Sequence, residues 1–191
     1  MLSTAMRPSK IEYGINLILE VLPLWLTQWK VRRLYCEPGV KVKTPSRLSL
    51  GHHVVIQRGS LLHCGGKSWC DYKGKIVLHD YVVIGPACTL YGSGEIEVGA
   101  YSHLGPGAMI IAQGGVIDGP HRLTPTPDRI HEPVTLGKGC WVGAGAVILG
   151  GTTLGDCCTV GPNSVVTGHY AAGTTLIGNP ARVARQVSQE V

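Results

Sequence analysis

Residues 134 to 171 read VTLGKGCWVGAGAVILGGTTLGDCCTVGPNSVVTGHYA, and an aliphatic residue recurs at every sixth position of this stretch. The series consists of Leu136, Val142, Ile148, Leu154, Val160 and Val166. An amphipathic helix requires apolar spacings of three and four, and a half-buried strand requires alternation, so neither accounts for a strict period of six. A hexapeptide period is typical of a parallel β-helix.

The period also predicts how the coils stack. If each six-residue unit is a short strand plus a turn, three units complete a triangular coil of about 18 residues that rises by about 4.8 Å. Three vertical columns of core residues are then expected: Leu136 with Leu154 and the region of Ala172, Val142 with Val160, and Ile148 with Val166. Mostly small residues occupy the fourth position after each aliphatic residue, where they would let the corners pack: Cys140, Ala146, Thr152, Cys158, Ser164 and Tyr170.

Two polar, glycine-rich segments interrupt a weaker six-residue rhythm that begins near Val40. The first is HCGGKSWCDYKGK at 63 to 75, and the second is AQGGVIDGPHRLTPTPDRIHEP at 112 to 133. The remaining repeats predict about five coils. A long insertion within compact repeats is uncommon unless it is functional, so we expect the chemistry at loop 112–133.

Composition indicates one modest domain. The chain has 191 residues, 27 glycines, no phenylalanine and a formal net charge of +5. It lacks a basic run interleaved with aromatic residues, so no nucleic-acid partner is expected. Its seven cysteines are an odd number, which favours reduced thiols and a cytoplasmic location over a disulfide framework.

The predicted divisions of the chain are an arm at 1–37, a β-helix domain at 38–178 and a C-terminal tail at 179–191.

Residues 9 to 35 predict an N-terminal helical arm. Glu20 and Pro23 interrupt its apolar residues, so it does not reach the length of a transmembrane span. Two interpretations stay open. The arm either packs against the prism or a neighbouring subunit, kinked near Pro23, or it is an interfacial helix whose Trp25 and Arg32 meet the inner face of an anionic membrane.

The stretch PVTLGKGCWVGAGAVILGGTTLGDCCTVGPNSVVTG, followed by IGNPARVAR, resembles the hexapeptide-repeat acyltransferases, especially the sugar O-acetyltransferases of the maltose, galactoside and polysaccharide-modifying types. The resemblance implies an all-β fold, a left-handed parallel β-helix, assembled as a homotrimer. It also implies acetyl-CoA as donor, a sugar or polysaccharide hydroxyl as acceptor, and no metal.

In the resembling enzymes a histidine in the loop before this repeat acts as general base. His121 of GPHR, twelve residues before Pro133, is the candidate here, and His131 is the second choice. Histidine suits the role because its ordinary pKa of about 6.5 lets it take the acceptor proton and return it to the thiolate. Asp118 or Glu132 would orient the imidazole.

The resemblance also assigns residues to the acetyl-CoA site, which lies between two prisms of the trimer. Trp141 and Ala144 would line the channel near the thioester. Pro162 and Thr167 would border the pantetheine arm. Arg182 and Arg185 would face the phosphates, which arginine binds as a fixed fork of donors.

Three other hypotheses stay open. An amine acceptor would make the protein an N-acetyltransferase. The γ-class carbonic anhydrases resemble this fold and hold zinc between subunits, and His79 with His103 would be the candidate ligands here. A catalytically silent scaffold is the third, because fold alone does not establish function.

Overall fold

The computed structural model describes residues 34–66, 70, 73–115 and 129–187, and these form a left-handed parallel β-helix. Three sheets make the faces of a triangular prism. Sheet A contains β1 (Tyr35–Cys36), β4 (Val55–Ile56), β7 (Val83–Ile84), β10 (His103–Leu104), β15 (Trp141–Val142), β18 (Thr159–Val160), β21 (Thr174–Gly178) and β22 (Ala181–Gln186). Sheet B contains β2 (Lys41–Lys43), β5 (Leu61–His63), β8 (Thr89–Tyr91), β11 (Met109–Ile111), β16 (Val147–Leu149) and β19 (Val165–Val166). Sheet C contains β3 (Leu48–Leu50), β6 (Ile76–Leu78), β9 (Ile96–Val98), β14 (Val134–Leu136), β17 (Thr153–Leu154) and β20 (His169–Tyr170).

The chain visits sheets A, B and C in turn, which gives six full coils before β21 opens a seventh. All pairs within the prism are parallel except β21 with β22. We call the turns from sheet A to sheet B the A–B corner, and define the B–C and C–A corners likewise. The prediction of about five coils is one short, because strand β1 begins before the first repeat recognisable in the sequence.

The core columns expected from the period are confirmed by the strand register. Leu136 pairs with Leu154, Val142 with Val160, and Ile148 with Val166. These side chains are at most 1% exposed, because every sixth residue points into the prism. These side chains therefore fill the narrow interior, and their burial supplies the main stabilisation of the fold.

One column ends differently from the prediction. Tyr170, not Ala172, pairs with Leu154, and Tyr170 packs partly buried against the core. The cause is a short turn: Gly168 takes a φ of +102° and brings the chain from β19 to β20 two residues early. Glycine adopts this left-handed conformation without the steric cost that a Cβ imposes.

The small residues at the fourth position are buried in the corners, as expected, and several bond to the next coil. The Cys140 thiol donates to the Gly155 carbonyl at 3.3 Å, and the Cys158 thiol donates to Ala171 at 3.2 Å. Burial raises the pKa of Cys140 to about 11. Cys140 therefore remains a protonated thiol and serves as a packing group.

Glycine at the first position of a corner permits the close approach of coils. A Cβ added at Gly143 would lie 2.6 Å from the backbone nitrogen of Pro162 and 2.8 Å from the carbonyl carbon of Gly161. We expect Gly143→Ala to destabilise the protein by about 1–3 kcal/mol, as overpacking does. Thermal unfolding measures this effect, with Gly114→Ala as the control because a Cβ at Gly114 meets nothing within 4 Å. Equal melting temperatures for the two variants would contradict the close packing of this corner.

Both ends of the prism extend past the repeats. Strand β1 pairs with β4 although residues 35 and 36 fall in the predicted arm, and residues 181 to 186 of the predicted tail form β22 and widen sheet A. The rest of the predicted arm, including Pro23, Trp25 and Arg32, lies outside the described residues. The described part contains no helix long and apolar enough to cross a membrane.

Candidate active site

Loop 112–133 leaves the prism at the B–C corner, between β11 and β14. Its two arms form an antiparallel hairpin, β12 (Gln113–Gly115) and β13 (Arg129–His131), in which Gln113 pairs with His131. We call this the loop hairpin. The candidate base His121, and Asp118 with it, lie outside the described residues. The hairpin nevertheless fixes where loop 112–133 joins the fold.

The base of the loop hairpin presents polar groups that the sequence did not single out. Gln113 Oε1 is buried and has no hydrogen-bond partner in the described part of the chain. A buried acceptor without a partner is costly, so this oxygen is suited to receive a hydrogen bond from a bound hydroxyl or amine. The sequence did not indicate Gln113 as a site residue, because Gln113 and His131 are eighteen residues apart in the chain. Only the strand pairing in the structure brings the two together.

Glu132 and His131 are both exposed. Glu132 packs over the next coil: a Cβ added at Gly151 would lie 3.4 Å from Glu132 Oε2. Neither ion pair of the described residues includes Glu132 or His131. The predicted role of Glu132 in orienting a histidine therefore remains a prediction about residues within the loop.

Trp141 lies on the outer surface of sheet A and is 55% exposed. Its indole stacks on the His103 ring, with centroids 5.3 Å apart and planes inclined by 20°. The two residues are register partners on β15 and β10, although loop 112–133 separates them in the chain. The stack holds the indole in place and leaves much of its surface open to a ligand.

A β-bulge turns both candidate arginines to the same side as Trp141. In a regular strand Arg182 and Arg185 would face opposite sides, because they are three residues apart. The pairing shifts between Thr175 and Leu176, so that Arg185 pairs with Thr175 and Arg182 with Ile177. Residues paired in this way share a side, and Thr175 and Ile177 alternate with the fully buried Leu176. Both arginines therefore lie on the outer surface of sheet A.

These residues form a continuous row across the sheet. Trp141 pairs with Thr159, Thr159 with Thr175, and Thr175 with Arg185. We call this row, together with Arg182 beside it opposite Ile177, the sheet A strip. It spans three strand spacings, or roughly 14 Å.

Ala144 and Pro162 border the strip at the A–B corner. They occupy equivalent turns of successive coils, since the Asn163 amide donates to the Ala144 carbonyl at 2.9 Å. Both are exposed. Thr167, in contrast, lies at the B–C corner, where its carbonyl accepts from the Tyr170 hydroxyl at 2.9 Å. Within one chain the structure thus brings five of the six predicted cofactor residues together and places Thr167 on the corner of the loop hairpin.

Sheet B separates these two corners, and its outer side is largely apolar over the four strands from β8 to β19. From β8 to β19 its outward side chains carry no charge: Thr89, Tyr91, Met109, Ile111, Val147, Leu149 and Val165. The outward side of sheet C from β9 to β20 is polar by comparison, with Glu97, Thr135, Thr153 and His169. A contiguous apolar face of this kind is typical of surfaces that contact a partner.

The two histidines considered for zinc are engaged elsewhere. His79 Nε2 lies 2.7 Å from Glu97 Oε1, whereas His103 stacks on Trp141. Over residues 34–66, 70, 73–115 and 129–187, no group of three histidine, cysteine, aspartate or glutamate side chains is arranged to hold a metal ion.

Known proteins share both the repeat and the fold. Residues 133–168 match the family model described as bacterial transferase hexapeptide (six repeats). Nodulation protein L of Rhizobium leguminosarum bv. viciae is 42% identical over 114 residues, which cover 60% of this chain and 59% of that protein. The chain thus spans about three fifths of the length of this relative.

Two solved structures have the same fold at low sequence identity. AntD, an N-acyltransferase from Bacillus cereus, was crystallised as a point mutant in complex with dTDP and coenzyme A. It superposes with a TM-score of 0.69 and 19% identity over 86% of this chain and 90% of that one. The hexapeptide-repeat acetyltransferase VCA0836 of Vibrio cholerae gives a TM-score of 0.56 and 20% identity over 93% and 86%. The period of six, the triangular prism and these matches agree: residues 133–168 carry the hexapeptide repeat of bacterial transferases, and the described chain has the fold of these acyltransferase structures.

Proposed function

We propose that this protein is an acetyl-CoA-dependent O-acetyltransferase that acts on a hydroxyl of a sugar or polysaccharide precursor. The observation that carries the proposal is the bulge in β22, which aligns Arg182 and Arg185 with Trp141 on the sheet A strip. An exposed aromatic ring at one end and two guanidinium groups at the other match a ligand with a thioester end and a phosphate end. The coenzyme A bound to AntD supports this choice of donor.

The proposed reaction needs one proton carrier. His121 removes the proton from the acceptor hydroxyl as its oxygen attacks the thioester carbonyl carbon. The tetrahedral intermediate then breaks its carbon–sulfur bond, and His121 returns the proton to the departing CoA thiolate. The products are the acetyl ester and free CoA.

The apolar outer side of sheet B supports assembly as a homotrimer. If sheet B of each subunit faces a threefold axis, the A–B corner of one subunit adjoins the B–C corner of the next. Ala144 and Pro162 of one chain then lie beside Thr167 and the loop hairpin of its neighbour. This arrangement would unite the two groups of candidate residues that one chain keeps apart.

A second candidate function is N-acyl transfer to an amino sugar. The observation that favours it is the overall similarity to AntD, which is an N-acyltransferase. The donor site and the base would be unchanged, and only the acceptor would differ. Product analysis with matched hydroxyl and amino sugars distinguishes the two functions, because an ester is cleaved by mild alkali and an amide is not.

Calorimetric titration with acetyl-CoA tests the donor site. We expect about one molecule to bind per subunit, and the Arg182→Ala, Arg185→Ala double variant to bind at least about tenfold more weakly, because charge-assisted hydrogen bonds are lost. The matched control is the Lys41→Ala, Arg58→Ala double variant, which removes the same charge at the opposite end of the prism. Equal weakening in both variants would show a nonspecific charge effect, and no binding to the wild type would refute the proposed donor.

A further inference from the structure

Two cations lie side by side at the start of adjacent strands of sheet C. Arg47 ends the 3-10 turn Pro45–Arg47 and directly precedes β3, and Lys75 directly precedes β6. Because Leu48 pairs with Ile76, the two preceding residues are neighbours across the sheet. Like charges in such positions repel each other, so the arrangement is unfavourable unless an anion lies nearby.

The two cations line an open cleft of about 330 Å³, together with Ser46, Leu48 and Ser49. Arg47 Nε is buried, yet it has no hydrogen-bond partner in the part of the chain that the structure describes. A buried guanidinium N–H without an acceptor carries a large desolvation penalty. Arg47 therefore lines the cleft with a guanidinium whose Nε–H is unsatisfied within the described residues, and the cleft has enough space to hold an anion.

No carboxylate of the described residues supplies that acceptor. Glu95 precedes β9, on the other side of Lys75, and its side chain is exposed. The ion pairs within the described ranges join Arg58 to Glu37 and His79 to Glu97, and neither involves Arg47, Lys75 or Glu95. No ion pair within the described ranges therefore joins Arg47 or Lys75 to a carboxylate.

We propose that the cleft between Arg47 and Lys75 binds a phosphate-class oxyanion, a phosphate or diphosphate group. The planar guanidinium of Arg47 would bind one oxygen through its fork of N–H donors, and the Lys75 ammonium would contribute a mobile point charge to another. Ser49 also lines the cleft, and its hydroxyl would add a neutral donor.

The position of the cleft indicates which molecule carries the anion. Lys75, Glu95 and Pro133 directly precede β6, β9 and β14, which are successive strands of sheet C. Lys75 is therefore two strand spacings, or roughly 10 Å, from the end of the loop hairpin. The donor residues Arg182 and Arg185 lie on sheet A instead. On the basis of the proposed function, we infer that the acceptor substrate bears the phosphate and that its sugar extends from the cleft towards loop 112–133.

Titration with inorganic pyrophosphate in phosphate-free buffer of low ionic strength tests the cleft. We expect one site per subunit, with affinity at least about tenfold lower in Arg47→Met and in Lys75→Met, because each variant keeps the aliphatic stem and loses the charge. Lys138→Met at the C–A corner is the control, and its affinity should stay within about twofold of the wild type. An absence of saturable binding, or an equal loss in Lys138→Met, would overturn the proposal.

Two further measurements separate the explanations. Arg47→Lys retains the positive charge and should bind pyrophosphate more tightly than Arg47→Met does. Thermal melting checks that each variant is folded.

Repeating the pyrophosphate titration on protein saturated with CoA identifies the source of the anion. Unchanged pyrophosphate binding supports a phosphate on the acceptor, whereas displacement by CoA assigns the cleft to the donor and overturns the acceptor assignment. Pyrophosphate binding that is lost in Arg47→Met and Lys75→Met but kept in the Arg182→Ala, Arg185→Ala double variant belongs to the cleft, so failure here is distinguishable from failure of the donor site.

Discussion

Replacement of His121 by alanine is expected to lower kcat for acyl transfer by about 10²- to 10⁴-fold, the usual contribution of a general base. The acceptor hydroxyl would then have to lose its proton to water while its oxygen attacks the thioester. Acetyl-CoA affinity should change little, because the proposed donor residues lie on the sheet A strip and at the corners. Single-turnover assays of the variant, combined with calorimetric titration, measure the two quantities separately.

His131→Ala is the matched control for this prediction. His131 is an exposed loop residue of the same type, but it belongs to the loop hairpin and faces Gln113 across the strand pair. We expect this variant to retain most of its turnover. If His131→Ala is inactive and His121→Ala is not, the base is His131; if both turn over normally, the mechanism is wrong.

The fold could be predicted from the sequence because the six-residue period of the aliphatic residues determines which residues pair on neighbouring strands. A residue that recurs every sixth position must return to the same face after three units, so pairs such as Val142 with Val160 follow directly. The same argument failed at Ala172, because the turn at Gly168 is two residues shorter than the others. Local turn length is set by backbone conformation, which a repeat pattern does not encode.

The candidate site was predictable only in part, for a similar reason. That Arg182 and Arg185 share a side depends on a bulge, and their spacing of three argues for opposite sides. The approach of Arg47 to Lys75 depends on how a non-repeating segment returns to the prism. These contacts arise from irregularities, whereas the sequence pattern describes the regular part. The role of His121 stays a prediction from family resemblance.

Met109→Glu is expected to convert the proposed trimer into monomers and to abolish the proposed acyl transfer with it. Met109 lies near the centre of the apolar outer side of sheet B, between Thr89 and Val147 on the neighbouring strands. In the proposed assembly each subunit would bury an unpaired carboxylate beside two identical ones, which costs several kcal/mol per ion. Sedimentation velocity measures the loss of the trimer directly.

Thr153→Glu provides the matched comparison, because it places the same charge on the polar outer side of sheet C, where Thr153 pairs with Thr135 and His169. This variant should remain trimeric and active. A trimeric Met109→Glu would show that sheet B does not face the threefold axis. A monomeric but active Met109→Glu would show that one chain holds a complete site, and the division of candidate residues between the A–B and B–C corners would then need another explanation. Loss of both properties in Met109→Glu alone supports a site shared between neighbouring subunits.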